Sequence, residues 1–467
     1  MAHSAIIYQN SEKTIFIIDI PSSISVSQYI PSYIPGISQP NRSQQESKCR
    51  QRHILSAPPL KDPYPSPPEP KTETARKRVL ERIPAEERAL HGYVFGPLVK
   101  DALRELKQNH DEGSPWCFPR RLVEETNESR RAAKKRRLNE DDISPCSIPS
   151  RSDTDLPPLI LSPGENDFES LSELQNVLVK NTSTVSAILN VKGFTADAGN
   201  IDGRETETAR FTVPPQSTFL FSTLPMEPPV SGRHKPIPGI PTEQKFNMIL
   251  LDPPWPNRSV RRSSHYVTHA YSNMDALTGY IEAILQTYLY KPDGVSLEKQ
   301  KQGEKDTIQP SQKSIAAIWV TNTAKSRKAA YDAMLRSGLS VTEEWIWVKT
   351  TVDGEPVSPV DGLWRKPYEV LVIGQRDIGN REGKDQPKLR RVIAAVPDIH
   401  SRKPNLKELF EMLFFSVMPP DGGTQEYSSR VEYSALEIFA RNITAGWWAC
   451  GNEVLKFNNE AWWVTND

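Results

Sequence analysis

Continuous apolar runs separated by amphipathic stretches dominate the second half of this chain. From about residue 205 onwards these runs include FNMILL, SIAAIWV and YEVLVIG, and the intervals carry helical patterns such as KSRKAAYDAMLRSG and NLKELFEMLFF. Strands that are apolar along their whole length have both faces buried, and the helices between them supply the cover. The pattern therefore predicts an α/β fold with a parallel sheet, whose ligands bind at the carboxyl ends of the strands.

The preceding 204 residues have a more mixed texture, and 41 of the 467 residues of the chain are proline. Segments rich in Ser and Pro contain too few large apolar side chains to offset the entropy of ordering them. The sequence predicts a small β-hairpin segment in 1–30, a disordered Pro/Ser-rich segment in 31–73, a helical segment broken at Pro84 in 74–127, disorder with a basic cluster in 128–166, a second helical segment in 167–204, and the α/β domain in 205–467.

Bulk composition excludes several classes of protein. The chain carries 58 basic and 58 acidic residues, so a nucleic-acid surface would have to come from local clustering of charge. Its four cysteines show no CxxC spacing, which predicts neither a disulfide framework nor a metal site and favours a reducing, intracellular compartment. No stretch approaches the length of a membrane span or of a secretion signal, so we expect a soluble protein.

A basic cluster lies in the Pro-containing part of the chain before the α/β domain. In RRAAKKRRLNEDD, Arg130 to Asp142, six basic residues fall within eight positions. Polar flanks suit a peptide that a nuclear import receptor reads, so the cluster predicts a nuclear protein. A solvated helix face or tail is the alternative interpretation.

The turn after the run FNMILL is the strongest candidate for chemistry. Asp252 ends the run, and Pro253, Pro254 and Trp255 follow it. An exocyclic amine on a base is a poor nucleophile because its lone pair is delocalised into the ring. Two acceptors, the Asp252 carboxylate and the Pro253 carbonyl, could take both N–H groups and free that lone pair in the transition state.

The rest of the quartet supports this hypothesis. A proline pair holds the backbone rigid without a competing N–H, and Trp255 is expected to stack on a base that is single-stranded or flipped out. A rigid exit from a strand, with a core tryptophan, is the alternative interpretation.

The motifs that follow resemble those of a known family. DPPWPNRSVRRSSHY, WVTN, EEWIWVK, RKPYEVLVIG, HSRKPNL, LEIFARN and GWWACGNEVLKF occur in the order found in the MT-A70 family of adenine-N6 methyltransferases, and most resemble its methyltransferase-like protein four branch. The resemblance covers about residues 205–460. It implies a Rossmann-like fold, S-adenosyl-L-methionine as the methyl donor, and adenosine in RNA or DNA as the acceptor.

The resemblance also implies roles for individual residues. Asp252 to Trp255 match the catalytic motif, and Asp252 is also expected beside the donor. Lys403 and Glu369 match positions that line the donor methionine or the target adenosine. Arg441 and Asn442 match residues that hold the donor ribose, Asn452 and Glu453 match those that reach its adenine, and Glu437 ends a strand where hydroxyl groups can be bound.

Other residues have weaker assignments. Arg258, Arg261 and Arg262 follow the catalytic turn, where guanidinium groups would meet substrate phosphates, although a solvated loop is the alternative. Tyr271 is expected either to close over the target base or to lie in the core. Trp319, Trp345 and Trp347 are expected in the core. Arg402 stands where relatives usually carry histidine, which puts its contact to the donor carboxylate in doubt.

Three functions are consistent with these residues. The first is methylation of N6 of adenosine in RNA, and the branch implies an internal 2′-O-methylated adenosine of small nuclear RNA. The second is methylation of DNA adenine or of a cytosine amine, because the same turn serves either amine. The third is a nucleic-acid-binding partner subunit without activity, which the intact Asp252 and GNE motif disfavour.

Overall fold

The structure of the protein is a computed structural model. The residues that it describes are 4–30, 52–65, 69–70, 72–111, 113–123, 156–192, 208–229, 235–256, 273–292, 313–363, 365–376, 388–416 and 432–465. Their strands are β1 Ile6–Gln9, β2 Ile15–Ile18, β3 Arg52–Ser56, β4 Arg121–Leu122, β5 Leu159–Ile160, β6 Glu165–Phe168, β7 Leu178–Lys180, β8 Ala187–Val191, β9 Ala209–Val213, β10 Thr218–Phe221, β11 Met248–Leu251, β12 Ile315–Val320, β13 Ser340–Lys349, β14 Tyr368–Gln375, β15 Leu389–Ala395, β16 Ala435–Ile438, β17 Trp448–Gly451 and β18 Trp463–Thr465.

Twelve of these strands form one sheet. Their order is β1-β2-β15-β13-β14-β12-β11-β16-β17-β10-β7-β5. Strands β12, β11, β16, β17 and β10 run parallel, as predicted. Strand β14, however, is antiparallel to both β12 and β13, so the sheet is mixed. An antiparallel neighbour needs no crossover helix, and the described residues between β13 and β14 contain none.

Helices cover both faces of this sheet, as predicted. The α-helices of the described residues are α1 Ile20–Ser27, α2 Glu73–Glu81, α3 Ala85–Ala89, α4 Gly96–Asn109, α5 Met274–Tyr288, α6 Ala324–Arg336 and α7 Lys407–Phe414, with a π-helical turn Leu90–Phe95 ahead of α4. Helices α2 and α3 bury none of their residues. Side chains of α4, α5 and α6 pack on one face with Ile249 and Leu251, whereas those of α1 and α7 pack on the other with Met248 and Leu250. Successive residues of β11 therefore pack into two separate hydrophobic cores, one on each face of the sheet.

The predicted strands and helices of the α/β domain are confirmed. Each apolar run that predicted a strand contains one, and KSRKAAYDAMLRSG and NLKELFEMLFF contain α6 and α7. Helix α5 lies in a stretch for which we predicted no element. The side chain of Asn273 accepts a hydrogen bond from the backbone N–H of Asp275 and so caps the first turn of α5. Within the described residues, no helix is both long and apolar enough to cross a membrane.

The helical prediction for residues 167–204 is wrong for the part that the structure describes, 167–192. Only a short 3-10 turn, Leu171–Leu174, is helical in that part, whereas β7, β8 and the end of β6 are strands. The spacing of Leu171, Leu174 and Val177 matched a helix over one short window. Pairing of β7 with β10, which is distant in sequence, outweighs that local preference.

The N-terminal segments contribute to the same fold. The predicted hairpin pairs β1 with β2, continues into α1, and joins the main sheet through β15. Strand β3 lies within 31–73 and β5 within 128–166, so the predicted disorder is wrong for these two parts. Strand β3 pairs with β18, far along the chain, whereas β5 pairs with the nearby β7. The basic cluster lies outside the described residues.

Candidate active site

The carboxyl ends of β11 and β16 place two carboxylates beside each other. Asp252 follows β11 directly, and its backbone N–H donates to the carbonyl of Ile438 at 3.3 Å. Glu437 lies opposite Leu250 in the parallel register. Residues two apart on a strand face the same side, so Asp252 and Glu437 enter one cleft from the same face of the sheet.

The turn after Asp252 is anchored by its tryptophan. The ring of Trp255 is buried, and its Nε1–H donates to the carbonyl of Trp319 at 2.6 Å. Its backbone N–H donates to the carbonyl of Pro253 at 2.8 Å. Stacking of Trp255 on a base, expected from the sequence, does not fit this burial. The two hydrogen bonds of Trp255 instead fix the turn. Pro254, between Pro253 and Trp255, stays partly exposed.

Asp252 and Lys403 line the cleft and begin a row of alternating charges that continues to Glu369 and Lys349. Lys403 Nζ donates to Asp252 Oδ1 at 2.7 Å and lies 3.3 Å from Glu369 Oε2. Lys349 Nζ donates to Glu369 Oε1 at 2.6 Å. Lys403 also lies over the Trp319 ring, 4.4 Å from its centroid. The four side chains Asp252, Lys403, Glu369 and Lys349 thus hold one another in place.

This row keeps its members ionised. Burial by itself would raise the pKa of Glu369, but the Lys403 and Lys349 ammonium groups outweigh it and lower that pKa to about 2. Burial would likewise lower the pKa of Lys403, and the Asp252 and Glu369 carboxylates raise it instead. Lys403 therefore remains a cation next to Asp252 at neutral pH.

Arg441 forms the opposite wall of the cleft. Its Nη1 donates to the Ser401 carbonyl at 3.0 Å, and its Nε donates to Glu453 Oε2 at 2.8 Å. It also lies 3.8 Å from Asp252 Oδ2. Asn442 donates weakly to Thr444 Oγ1 at 3.4 Å. Asn452 is exposed at the end of β17, so the residues from the GNE motif lie at the outer rim.

Arg402 lines the cleft with a side chain that is largely used inside the protein. Its Nη1 donates to Asp398 at 2.7 Å and to the Leu55 carbonyl at 2.8 Å, and its guanidinium lies over the Phe457 ring. Its Nε and Nη2 make no hydrogen bond to the described residues, so the question raised by the missing histidine stays open. Lys403, the next residue, supplies the cation of the cleft.

Glu437 differs from Asp252 in having no cationic side chain as an ion-pair partner among the described residues. Among the described residues it makes neither a hydrogen bond nor an ion pair, although it lines the cleft. Burial and the negative charge of Asp252 raise its pKa to about 8, against a smaller opposing effect of Arg441. In the protein without ligand the carboxyl is therefore largely protonated at neutral pH.

The residues of the cleft fit S-adenosylmethionine. That molecule carries a sulfonium cation, an amino-acid group, a ribose diol and an adenine. Side chains around the cleft offer carboxylates, cations, amides and aromatic rings, among them Asp252, Lys403, Asn405, Glu437, Phe439, Arg441 and Asn442. The carboxyl of Glu437, which has no partner of its own, suits a positively charged group.

Some of the predicted site residues lie outside the part of the chain that the structure describes. Arg258, Arg261, Arg262 and Tyr271 lie outside the described residues. Trp319, Trp345 and Trp347 are buried, which confirms their predicted place in the core.

Two residues at the site were missed. Lys349 is the last residue of β13 and follows the apolar run WIWV. A charged residue at the end of such a run could have been predicted to lie at the site. Asn405 follows the SRKP motif and lines the cleft, but only the fold shows its place there.

Comparison with known proteins finds a matching domain and several similar proteins. Residues 305–453 match the MT-A70 family model. The chain is 28% identical to the N6-methyladenosine RNA methyltransferase MTA1 of Pyricularia oryzae, over 99% of this chain and 96% of that protein. It is 35% identical to MTA1 of Cryphonectria parasitica over 54% of this chain and 62% of that protein.

A human protein gives a third match. The chain is 31% identical to the N(6)-adenine-specific methyltransferase METTL4 of Homo sapiens, over 55% of this chain and 45% of that protein. The sheet, the cleft at its carboxyl edge and the DPPW turn agree with these matches. Residues 305–453 therefore form an MT-A70 domain, a type of domain found in S-adenosylmethionine-dependent methyltransferases, and the chain is similar to proteins named as adenine-N6 methyltransferases.

Proposed function

We propose that this protein methylates the N6 amine of adenosine in RNA. The observation that carries the proposal is the placement of the Asp252 carboxylate at the rim of the cleft, with one oxygen held by Lys403. Its other oxygen faces Arg441 at 3.8 Å, too far for a hydrogen bond, and so can accept an N–H of the substrate. Two relatives named as RNA methyltransferases support RNA as the polymer.

The chain's own groups would activate the amine. The Pro253 carbonyl already accepts from the Trp255 N–H, but a carbonyl has a second lone pair and can accept an N–H of the amine as well. With Asp252 it forms a pair of acceptors on one rigid turn. The bound donor supplies the electrophilic methyl group, and the two acceptors stabilise the positive charge that develops on the nitrogen.

The remaining site residues receive proposed roles from their positions. Lys403 and Glu369, which contact each other, would line the donor methionine or the target adenosine. Arg441 and Asn442, which line the cleft, would hold the donor ribose. Asn452 and Glu453 at the rim would reach the donor adenine. We assign Arg258, Arg261 and Arg262 to substrate phosphates and Tyr271 to the base, from the sequence alone.

The first prediction concerns Asp252. Asp252→Asn keeps the shape of the side chain but weakens the acceptor, so methyl transfer should fall by about a hundredfold or more. Transfer of a labelled methyl group to a short adenosine-containing RNA measures the loss, while a thermal shift with the donor tests binding. Unchanged turnover in the purified variant would contradict the proposal.

The same assay separates the possible substrates. We propose an internal 2′-O-methylated adenosine of small nuclear RNA as the preferred target, an expectation that rests on the branch that the sequence resembles. RNA oligonucleotides with and without the 2′-O-methyl group, and the matching DNA, would be compared at equal concentration. Greater turnover on DNA would favour a DNA methyltransferase. Binding without turnover on any of them would favour a non-catalytic partner subunit.

We also propose that the protein acts in the nucleus. The basic cluster from Arg130 to Arg137 supports import by a receptor that reads such peptides. A fluorescent fusion with the six basic residues replaced by alanine should lose nuclear accumulation. An unaltered distribution would contradict the assignment.

A further inference from the structure

Two carboxylates enter the cleft side by side, and only one of them has a cation. Asp252 is held by Lys403 at 2.7 Å and lies near Arg441. Glu437, on the neighbouring strand, forms no hydrogen bond or ion pair within the described part of the chain. The cleft thus contains a carboxyl group without a positively charged partner, next to Asp252, where methyl transfer would occur.

We propose that Glu437 selects the cationic sulfonium donor over its neutral thioether product, by losing a proton when the donor binds and regaining it when the product forms. This inference rests on the proposed function. The donor and the product differ by one methyl group and one positive charge. A charged Glu437 attracts only the donor, whereas a neutral Glu437 distinguishes the two molecules poorly.

The groups that face Glu437 explain why its proton is available. Asp252 on β11 repels the charged form, Arg441 beyond the end of β16 favours it less strongly, and Cys450 on β17 is a thiol whose pKa burial raises, so it adds no charge. Lys403 directs its ammonium to Asp252 and Glu369 instead. The pKa of Glu437 therefore stands at about 8 until a cation arrives.

The sign of the linkage follows from this raised pKa. A sulfonium beside the carboxyl lowers its pKa, so binding of the donor releases a proton whenever the pH is below about 8. Affinity for the donor then rises with pH, by at most about tenfold per pH unit for one proton, and levels off above about pH 8. Affinity for the neutral product has no such dependence through Glu437.

Calorimetric titration of the full chain tests the inference. S-adenosylmethionine, S-adenosylhomocysteine and sinefungin, which carries an amine in place of the sulfonium, would be titrated between about pH 6 and pH 8. Buffers of different ionisation enthalpy count the protons released. We expect the two cationic ligands to bind more tightly as pH rises, with proton release, and the neutral product to show a flatter profile.

Two variants separate Glu437 from other titrating groups. In Glu437→Gln the donor should lose its extra pH dependence and bind several-fold more weakly, while affinity for the product is retained. Titration of the ligands' own amino groups is the same for both proteins and cancels in the comparison. Glu432→Gln, an exposed carboxylate ahead of the same strand, should keep the wild-type profile.

The outcomes separate this inference from the proposed function. Binding of donor and product with the same pH slope in the wild-type protein would overturn the role of Glu437 and leave methyl transfer intact. A slope that survives in Glu437→Gln would do the same. Absence of binding by all three ligands would overturn both proposals. The wild-type comparison needs no variant, so instability of Glu437→Gln would not block the test.

Discussion

Lys349 shows how a single side chain at a strand end shapes the site. It shares the Glu369 carboxylate with Lys403 and lies over the Trp347 ring, 4.8 Å from its centroid. Lys403 in turn holds Asp252. Removing Lys349 would therefore leave Glu369 with one cation and shift the balance of charge that positions the catalytic carboxylate.

We predict that Lys349→Met destabilises the protein by about 1–3 kcal/mol at pH 7, the range for a hydrogen bond to a charged group. The depressed pKa of Glu369 stabilises the fold above the ordinary range of a carboxyl and ceases to do so as pH falls towards about 2. The difference in melting temperature should therefore shrink on going from pH 7 to about pH 3.

Lys328→Met provides the control for this measurement. Lys328 pairs with Asp332 on the exposed surface of α6, where ion pairs contribute little. Its melting temperature should stay close to that of the wild-type protein at both pH values. An equal loss in the two variants would show that the position of Lys349 has no special importance.

Sequence identified Asp252, Glu369 and Lys403 as site residues but missed Lys349 and the pairing of these charges. Asp252 was predicted from its place at the end of FNMILL, and it lies there. Lys349, Glu369 and Lys403 come from three separate stretches, and only the order of strands in the sheet brings them together. Trp255 was predicted to stack because aromatic rings next to an acidic turn suit a base. Its burial depends on the Trp319 carbonyl, a tertiary contact that no local pattern contains.

At the scale of elements, α1 braces the two loops that line the cleft. Ser23 Oγ accepts from the backbone N–H of Asn405 at 2.9 Å, and Gln28 Nε2 donates to the Ile443 carbonyl at 3.0 Å. Asn458 Nδ2 donates to Gln28 Oε1 at 3.1 Å. A helix from the first thirty residues thus holds backbone that follows both Lys403 and Asn442.

We predict that Gln28→Ala weakens donor binding although Gln28 lies outside the cleft. Loss of its buried hydrogen bonds should cost about 1–3 kcal/mol of folding stability and loosen the loop that carries Arg441 and Asn442. Ser25→Ala on the same helix removes a partly exposed hydroxyl and should change neither quantity. Calorimetric affinity for the donor and thermal unfolding would be measured for both variants, and equal donor affinity in all three proteins would contradict the bracing role.

Strands could be predicted from the sequence where both of their faces are buried under helices. The runs that form β11 and β12 are apolar throughout, and β14 is apolar from Val370 to Ile373, because both faces are buried there, so the sequence reports the structure directly. Strands β3 and β5 are short and partly exposed; β3 pairs with the distant β18, and β5 pairs with the nearby β7. Their pairing supplies the stability that the local sequence lacks.

On the scale of the whole molecule, a buried group of charges joins the N-terminal part to the sheet. The side chains of Arg120, Asp398 and Arg402 are at most 1% exposed. Asp398 accepts from Arg402 and from the backbone N–H of Ala57, and Arg120 donates to the carbonyls of Ala57, Val396 and Pro397. Segments from the beginning and the end of the chain therefore meet around one carboxylate.

We predict that Asp398→Asn destabilises the protein by about 3–5 kcal/mol, because two buried guanidinium groups lose their counter-ion. Denaturant unfolding at neutral pH measures the change. The matched variant Asp361→Asn breaks only the exposed pair with Lys100 and should cost at most about 1 kcal/mol. If both variants unfolded at the wild-type denaturant concentration, the buried cluster would have no part in the cohesion of the chain.

Strand β2 has a consequence for anyone who shortens this protein. It pairs with β15 and places Phe16 and Ile17 in the two opposing cores, although the family match begins only at residue 305. A fragment trimmed to the recognisable domain would present β15 with unpaired backbone groups and exposed apolar neighbours. Such an unpaired strand edge recruits strands from other molecules, so the trimmed protein would tend to aggregate, and it would also lack β11 and Asp252.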